Sequence, residues 1–342
     1  MNTTFKKNQQ QKTNMKKVLV IGLLVVLIVV AFIISMNTGY IRLSPLEVFE
    51  TLFGKGTDKQ EVILFEFRLP RIVISVLIGM ALAVSGCILQ TISRNALADP
   101  GILGINSGAG LMVVLYITFF PEKNFMSIMF LPFLSFIGAG LAAILIYGLA
   151  YKKGEGISPT RLILTGVAVA AGISSAMIVL TLRLTPESYQ FVATWLAGSI
   201  WGSNWDFVLA LLPWVMLLLP YIFLKAQTLN VIYLGDQMAN GLGVAVERER
   251  RLLLAAAVGL AGASVAVSGG IGFVGLIGPH LAKQLVGARQ QFLLPASALT
   301  GGLLVIAADT IGRSIFQTEI PTGIVVAVIG APYFLYLLAR EK

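Results

Sequence analysis

Gly272-Phe273-Val274-Gly275-Leu276-Ile277-Gly278-Pro279-His280 stands inside an apolar segment that carries no charge between residues 252 and 282. It reads neither as a smooth lipid-facing helix nor as a soluble loop. Glycines at 269, 270, 272, 275 and 278 each cost a helix about 1 kcal/mol relative to alanine. Close backbone packing, or a short, broken helix inside a bundle, is the arrangement that offsets such a cost.

The rest of the chain supplies the bundle. Its 342 residues are 57% hydrophobic and only 12% charged, with a mean hydropathy of +0.87. Apolar runs of about 20 residues, long enough for a hydrocarbon core of roughly 30 Å, recur along it. This composition excludes a soluble globular domain and defines an all-α polytopic membrane protein. The first run, residues 18–40, is uncharged and follows Lys6, Lys7, Lys12, Lys16 and Lys17. It is longer than a signal-peptide core and shows no small-residue cleavage site, so it reads as an uncleaved first helix behind a cytoplasmic tail, 1–16. The single cysteine, Cys87, forbids an internal disulfide and reads as a small packing residue in an apolar helix.

Ten transmembrane helices are expected, at 17–36, 70–92, 101–120, 125–150, 161–182, 206–225, 252–270, 271–285, 293–312 and 321–339. With the N-terminus in the cytoplasm, most of the 25 Lys and Arg residues fall on the inner side. They are the N-terminal lysines, Arg94, Lys152, Lys153, Arg161, Lys225, Arg248, Arg250, Arg251, Lys283, Arg289, Arg340 and Lys342. That asymmetry obeys the positive-inside rule, and an even number of spans puts the C-terminus inside too. The net charge of +9 is thus a topology signal and points to membrane lipid rather than nucleic acid. No soluble domain interrupts the spans, so 17–342 reads as one transmembrane domain. Ala83-Val84-Ser85-Gly86 recurs as Ala266-Val267-Ser268-Gly269, a weak sign of the inverted repeats common in transporters.

Four constellations stand out. Arg68-Leu69-Pro70-Arg71 opens the second span, where proline at the first turn fixes the helix start. Its two arginines, with Arg313, suit either interfacial snorkelling or docking of an acidic partner through planar guanidinium forks. Asp309, one turn before Arg313, is a candidate intrahelical partner. In Asn95-Ala96-Leu97-Ala98-Asp99-Pro100-Gly101, Asp99 reads as an N-cap with Pro100 at the first helical position. Residues 234–243 read as a short inner-loop helix started by Asp236 and stopped by glycine. There Ala239, Gly241 and Gly243 would let another protein approach closely, the plainer alternative being an ordinary surface helix.

Catalytic chemistry is poorly represented. There is one histidine, no HExxH motif and no phosphate-binding GxxxxGK[ST] loop. No acidic residue lies deep in a span, since Asp206 and Asp309 sit near span ends. An ion-coupled secondary transporter would need a mid-membrane relay, and an intramembrane enzyme would need paired catalytic groups at one depth. Lone His280 reads as a hydrogen-bonded structural residue rather than a metal ligand. The chain is expected to have no catalytic residue and to bind no metal or cofactor.

Taken in order, these segments resemble the permease subunits of ABC importers for iron–siderophore complexes, haem and vitamin B12. The likeness covers nearly the whole chain after the tail. It rests on Arg68-Leu69-Pro70-Arg71, the 95–100 turn, 234–243, 272–280, Ala308-Asp309-Thr310-Ile311-Gly312-Arg313, Glu319-Ile320-Pro321-Thr322-Gly323 and Gly330-Ala331-Pro332-Tyr333-Phe334-Leu335-Tyr336-Leu337-Leu338. It implies a type II ABC importer permease fold in a bacterial cytoplasmic membrane. The subunit would pair with a second copy or a close relative, with two ATP-binding subunits inside that use the ATP and an extracytoplasmic substrate-binding protein outside. It implies that Arg68, Arg71 and Arg313 meet acidic residues of the binding protein. The helix holding Gly235, Asp236, Ala239, Gly241 and Gly243 would sit in a cleft of the ATPase, Asn95 and Leu97 would form an inner gate, and Ser158 and Thr160 a second gate element. The implied cargo is an iron(III)–siderophore complex, with haem and cobalamin as alternatives. The sequence departs from the family at Ala96, where proline is common, and at Pro159, where a small polar residue is expected. Lys283 keeps the basic charge that usually follows the Pro-His pair.

Overall fold

The computed structural model describes residues 2–39, 43–120, 125–152, 156–200, 202–315 and 319–340. Tyr40, Lys153 and Lys342, used in the sequence reading, lie outside them. Helix α1 (Asn2–Asn37) is followed by α2 (Pro45–Leu52), whose Ser44 and Glu47 form a reciprocal capping box. Next come α3 (Asp58–Glu61), a π-helical stretch Val62–Arg68, and α4 (Leu69–Ser93).

The expected helix start at Pro70 is corrected here, because the chain is helical from Asp58 through Ser93. The wider π turn explains how. The Leu69 N–H reaches back five residues to Leu64 O, so the N–H that Pro70 lacks leaves the Phe65 carbonyl unpaired. The Trp205 indole Nε1–H donates to that carbonyl at 2.8 Å, which satisfies it from another helix.

After α4 the chain forms α5 (Ile105–Phe119), α6 (Phe125–Ala150) and a small antiparallel hairpin, β1 (Tyr151–Lys152) with β2 (Gly156–Ile157). Helices α7 (Pro159–Thr181), α8 (Pro186–Leu196), α9 (Trp205–Leu224), α10 (Ala226–Tyr233) and α11 (Asp236–Gly241) follow. The chain closes with α12 (Val246–Ser268), α13 (Val274–Val286), α14 (Gln290–Gly312) and α15 (Thr322–Arg340). Every expected span contains a helix, but among the described residues only seven are long and apolar enough to cross a bilayer. Ile105–Phe119 and Thr322–Tyr336 are apolar but shorter. Helix α13 has 13 residues, which at 1.5 Å per residue spans only about 20 Å.

Burial sorts the helices. In α1 the most apolar window has 11% of its residues buried, whereas in the segment containing α4 the share is 78%. Helix α1 therefore presents its apolar side chains outward, and α4 is the centre of the bundle, packed on α12, α13 and α14. Lipid tails are as apolar as leucine, so association here depends on close contact and dispersion. The contacts are made by glycine. A Cβ on Gly86 would lie 1.9 Å from Gly275 O, and one on Gly79 would lie 2.2 Å from Gly301 O.

The 269–280 run is a broken helix, as its glycines suggested. Helix α12 stops at Gly269, φ +67, and α13 starts after Phe273, a left-handed residue at φ +65. Between them the Gly270 N–H donates to Trp195 O at 3.3 Å.

Candidate functional site

At one end of α4 and α14, two of the three arginines singled out in the sequence, Arg71 and Arg313, meet one buried carboxylate, and the third, Arg68, turns to the end of α1. Arg71 donates from Nε to Asp309 Oδ1 at 3.0 Å, and its other terminal nitrogens reach Asp309 and Glu319 at 2.9 Å each. Arg313 lies 3.4 Å from the second Asp309 oxygen, and the Thr322 hydroxyl donates to the first at 3.2 Å. The expected Arg313–Asp309 pair is present, but Arg71 makes the closer contact. Arg313 also donates to Ser35 O at 3.0 Å and Thr38 O at 3.3 Å, and Arg68 donates to Met36 O. Ser35 and Met36 lie in the last turn of α1 and Thr38 just beyond it, at the negative pole of the helix dipole, where carbonyls lack intrahelical partners. Arg68 and Arg313 are buried inside the protein rather than snorkelling at an interface. Glu319 is the exposed member of the cluster.

At the other end of α4, the turn at 94–100 forms part of the wall of a cavity of about 920 Å³. Asn95, Leu97 and Thr160 all line it, together with Gln90, His280 and Lys283. The structure therefore brings together three of the four expected gate residues. Ser158 is the N-cap of α7 and makes no side-chain cap bond; it is not among the described residues lining the cavity. Ala96 does not leave the turn loose. Asn95 Oδ1 accepts the Leu97 N–H at 2.9 Å and the Asn95 carbonyl accepts the Ala98 N–H at 3.2 Å, an Asx-turn that holds the backbone without proline. Asp99 caps the next helical turn as expected, accepting the Gly101 N–H at 2.8 Å. Burial pushes its carboxyl up to about 6, the Gly101 bond opposing the shift only in part. His280 sits 3.0 Å from the Gln284 amide nitrogen and edge-on to Tyr333, the structural setting anticipated for it.

Beside this cavity lies the short helix expected at 234–243, α11. Its N-cap is Gly235, at φ +116, and Asp236 is the first helical residue rather than the cap. Freed from capping, the Asp236 carboxylate accepts from Arg250 through both oxygens at 2.8 Å and from Arg94. Burial works to raise its pKa, but Arg250 and then Arg94 outweigh burial and hold it below the usual carboxylate value. Ala239 is fully buried in its own chain, on a helix that packs against α10 and α12. The open positions are Gly241 and Gly243, with space around both. Leu234, Met238 and Leu242 stand exposed beside them.

Sequence reasoning missed the polar residues that stitch the apolar helices together. Gln90 donates to Gly275 O at 3.1 Å, and buried Gln290 donates to Thr91 Oγ1 at 2.9 Å. For Gln90, an uncharged amide inside an otherwise apolar helix was the available signal; Gln290 starts α14 beside Arg289 and Gln291 and carried none. Nothing in the sequence marked Arg94 and Asp236, 142 positions apart, as partners.

Comparison with known proteins places this geometry. Residues 26–340 match the model of the FecCD transport family. The iron(3+)-hydroxamate import system permease protein FhuG of Bacillus subtilis (strain 168) is 50% identical over 336 residues, covering 97% of this chain and 99% of that protein. The hemin transport system permease protein HmuU of Yersinia pestis is 38% identical over 328 residues, 95% of this chain and 96% of that one. Among solved structures, an inward-facing conformation of a metal-chelate type ABC transporter superposes with a TM-score of 0.83. It is 31% identical and covers 94% of this chain and 99% of that one.

Proposed function

Because the chain belongs to the FecCD transport family, we propose that it is the permease subunit of an ABC importer that carries an iron(III)–siderophore complex across a bacterial cytoplasmic membrane. The observation that carries this reading is the end-to-end, 50% identity with an iron(3+)-hydroxamate permease. A ferric hydroxamate is therefore the first cargo to test. The chain moves its cargo without bond-breaking chemistry; ATP is hydrolysed by two partner subunits on the inner side. A second permease, identical or related, completes the pathway.

In this reading the ten helices all belong to the membrane domain, with both termini inside and the short α13 shielded within the bundle. Closure of the ATPase pair pushes α11 through Gly241, Gly243 and the exposed Met238 and Leu242; Gly235, Asp236 and Ala239 fix that helix to its own subunit. Asn95, Leu97 and Thr160, with Ser158 at the head of α7, gate the inner cavity. Outside, Arg71 receives a carboxylate of the binding protein in exchange for Glu319, with Arg68 and Arg313, buried behind it, lending positive charge to the docking patch. A ligand-dependent state change does work only when it is coupled to hydrolysis.

The test is uptake of radiolabelled ferric hydroxamate into proteoliposomes holding the permease, its ATPase and its binding protein, with haem and cobalamin as comparison cargoes. Uptake should require ATP and the binding protein. Uptake that proceeds without ATP refutes the importer reading, and haem uptake exceeding that of the hydroxamate reassigns the cargo.

A further inference from the structure

Arg94 ends α4 and begins the turn that walls the inner cavity. Its backbone is left-handed, φ +51 and ψ +30, a conformation disfavoured for residues with a β-carbon and usually given to glycine at a helix end. What arginine supplies there, and glycine does not, is a guanidinium. That group donates to Ile232 O, near the end of α10, at 3.3 Å and to Asp236, the first residue of α11. Asp236 is also held by Arg250 of α12.

The two ion pairs on Asp236 differ in kind. The Arg250 side chain is 3% exposed, whereas Arg94 is 37% exposed. The buried fork secures α11 to α12. The exposed bond to Asp236 is of the sort that contributes little to stability, and the second contact of Arg94, to Ile232 O, is a long one at 3.3 Å.

We propose that Arg94 is a positioning residue of the transport cycle: its bond to Asp236 is the link through which α11 moves the cavity turn. Asn95 and Leu97 follow Arg94 on the same backbone, tied by the Asx-turn, so a displacement of α11 passes through one side chain into the gate. The inference rests on reading α11 as the ATPase contact. It makes coupling depend on a physical connection rather than on proximity alone.

The experiment uses the full complex of permease, ATPase and binding protein in proteoliposomes, with wild type, Arg94→Gly and Arg94→Lys. Glycine suits the left-handed backbone, so the permease stays folded while the link is cut. Uptake per ATP hydrolysed should fall roughly fivefold or more in Arg94→Gly, the lower end of typical coupling effects, and Arg94→Lys should recover part of it. The ATPase should co-purify with Arg94→Gly in the wild-type ratio. An unchanged uptake-to-ATP ratio overturns the link, and so does loss of the ATPase from the complex, which would make Arg94 a docking determinant instead. Met238→Glu on the exposed side of α11 tests the premise separately. If the ATPase still binds and drives uptake in that variant, α11 is not the contact and the link falls with it.

Discussion

Asp309→Asn should be the most destabilising conservative change in the cluster of Arg71, Arg313 and Glu319. The Asp309 carboxylate has no exposed side-chain area and stands against Arg71 and Arg313, which are 13% and 5% exposed. It accepts from Arg71 Nε at 3.0 Å and from Thr322 at 3.2 Å, besides its contacts with the terminal nitrogen of Arg71 and with Arg313. Asparagine keeps the shape but removes the charge that balances two buried guanidinium groups. Breaking a buried ion pair from one side costs about 3–5 kcal/mol, because the remaining charge is stranded. Glu319→Gln provides the internal standard. Glu319 contacts the same Arg71 at 2.9 Å but is 40% exposed, so its loss should cost no more than about 1 kcal/mol. Equilibrium unfolding of both variants in mixed micelles measures the difference. If Asp309→Asn is no more destabilising than Glu319→Gln, burial does not set the strength of this cluster and the reasoning is wrong.

Other outcomes follow from the same physics. Gly86→Ala should push α4 away from α13, since its Cβ would fall 1.9 Å from Gly275 O, at a cost of about 1–3 kcal/mol in unfolding free energy; Gly140→Ala, with nothing within 4 Å, should be neutral or stabilising, and equal effects would refute the close-packing account. Trp205→Phe removes the donor to Phe65 O and should destabilise by about 1–3 kcal/mol, whereas an unchanged unfolding curve would mean that the π-helical carbonyl has another partner. For Asp99 the folded-state value, about 6, lies above the ordinary 3.8, so the folded protein holds its proton more tightly. The stability this contributes is complete below the unfolded value and is lost as pH rises through about 6. Asp99→Asn should therefore raise the thermal midpoint at about pH 8 and lose that advantage near about pH 4; a pH-independent shift would contradict the assignment.

How much of this was legible in the letters depends on the range of the interaction. The broken helix at 269–280 was legible because glycine acts locally on backbone freedom, and Gly269 does break α12. Asp99 as a cap and the short helix near 234–243 were legible for the same reason: capping and turn preferences span only a few residues. Pro70 misled, because a proline usually starts a helix, whereas here a π turn and an indole from α9 let the helix run through it. Ala239 misled as well, since its full burial depends on how α10 and α12 pack on this six-residue helix.

By itself the sequence determined the solvent of this protein, its helical class, and the family whose motifs it carries in order. Those properties follow from composition and local periodicity: apolar runs must close their own hydrogen bonds in a bilayer, and only helices do so within one segment. Apart from the Arg313–Asp309 pair, one helical turn apart, the tertiary structure alone decided the partners of the charges. It assigned Arg68 and Arg313 to the end of α1, Arg71 to Asp309 and Glu319, and Arg94 to Asp236. A charge at the end of a helix has many candidate partners in sequence, and the packing of glycine-lined helices selects among them by bringing distant termini within hydrogen-bond reach.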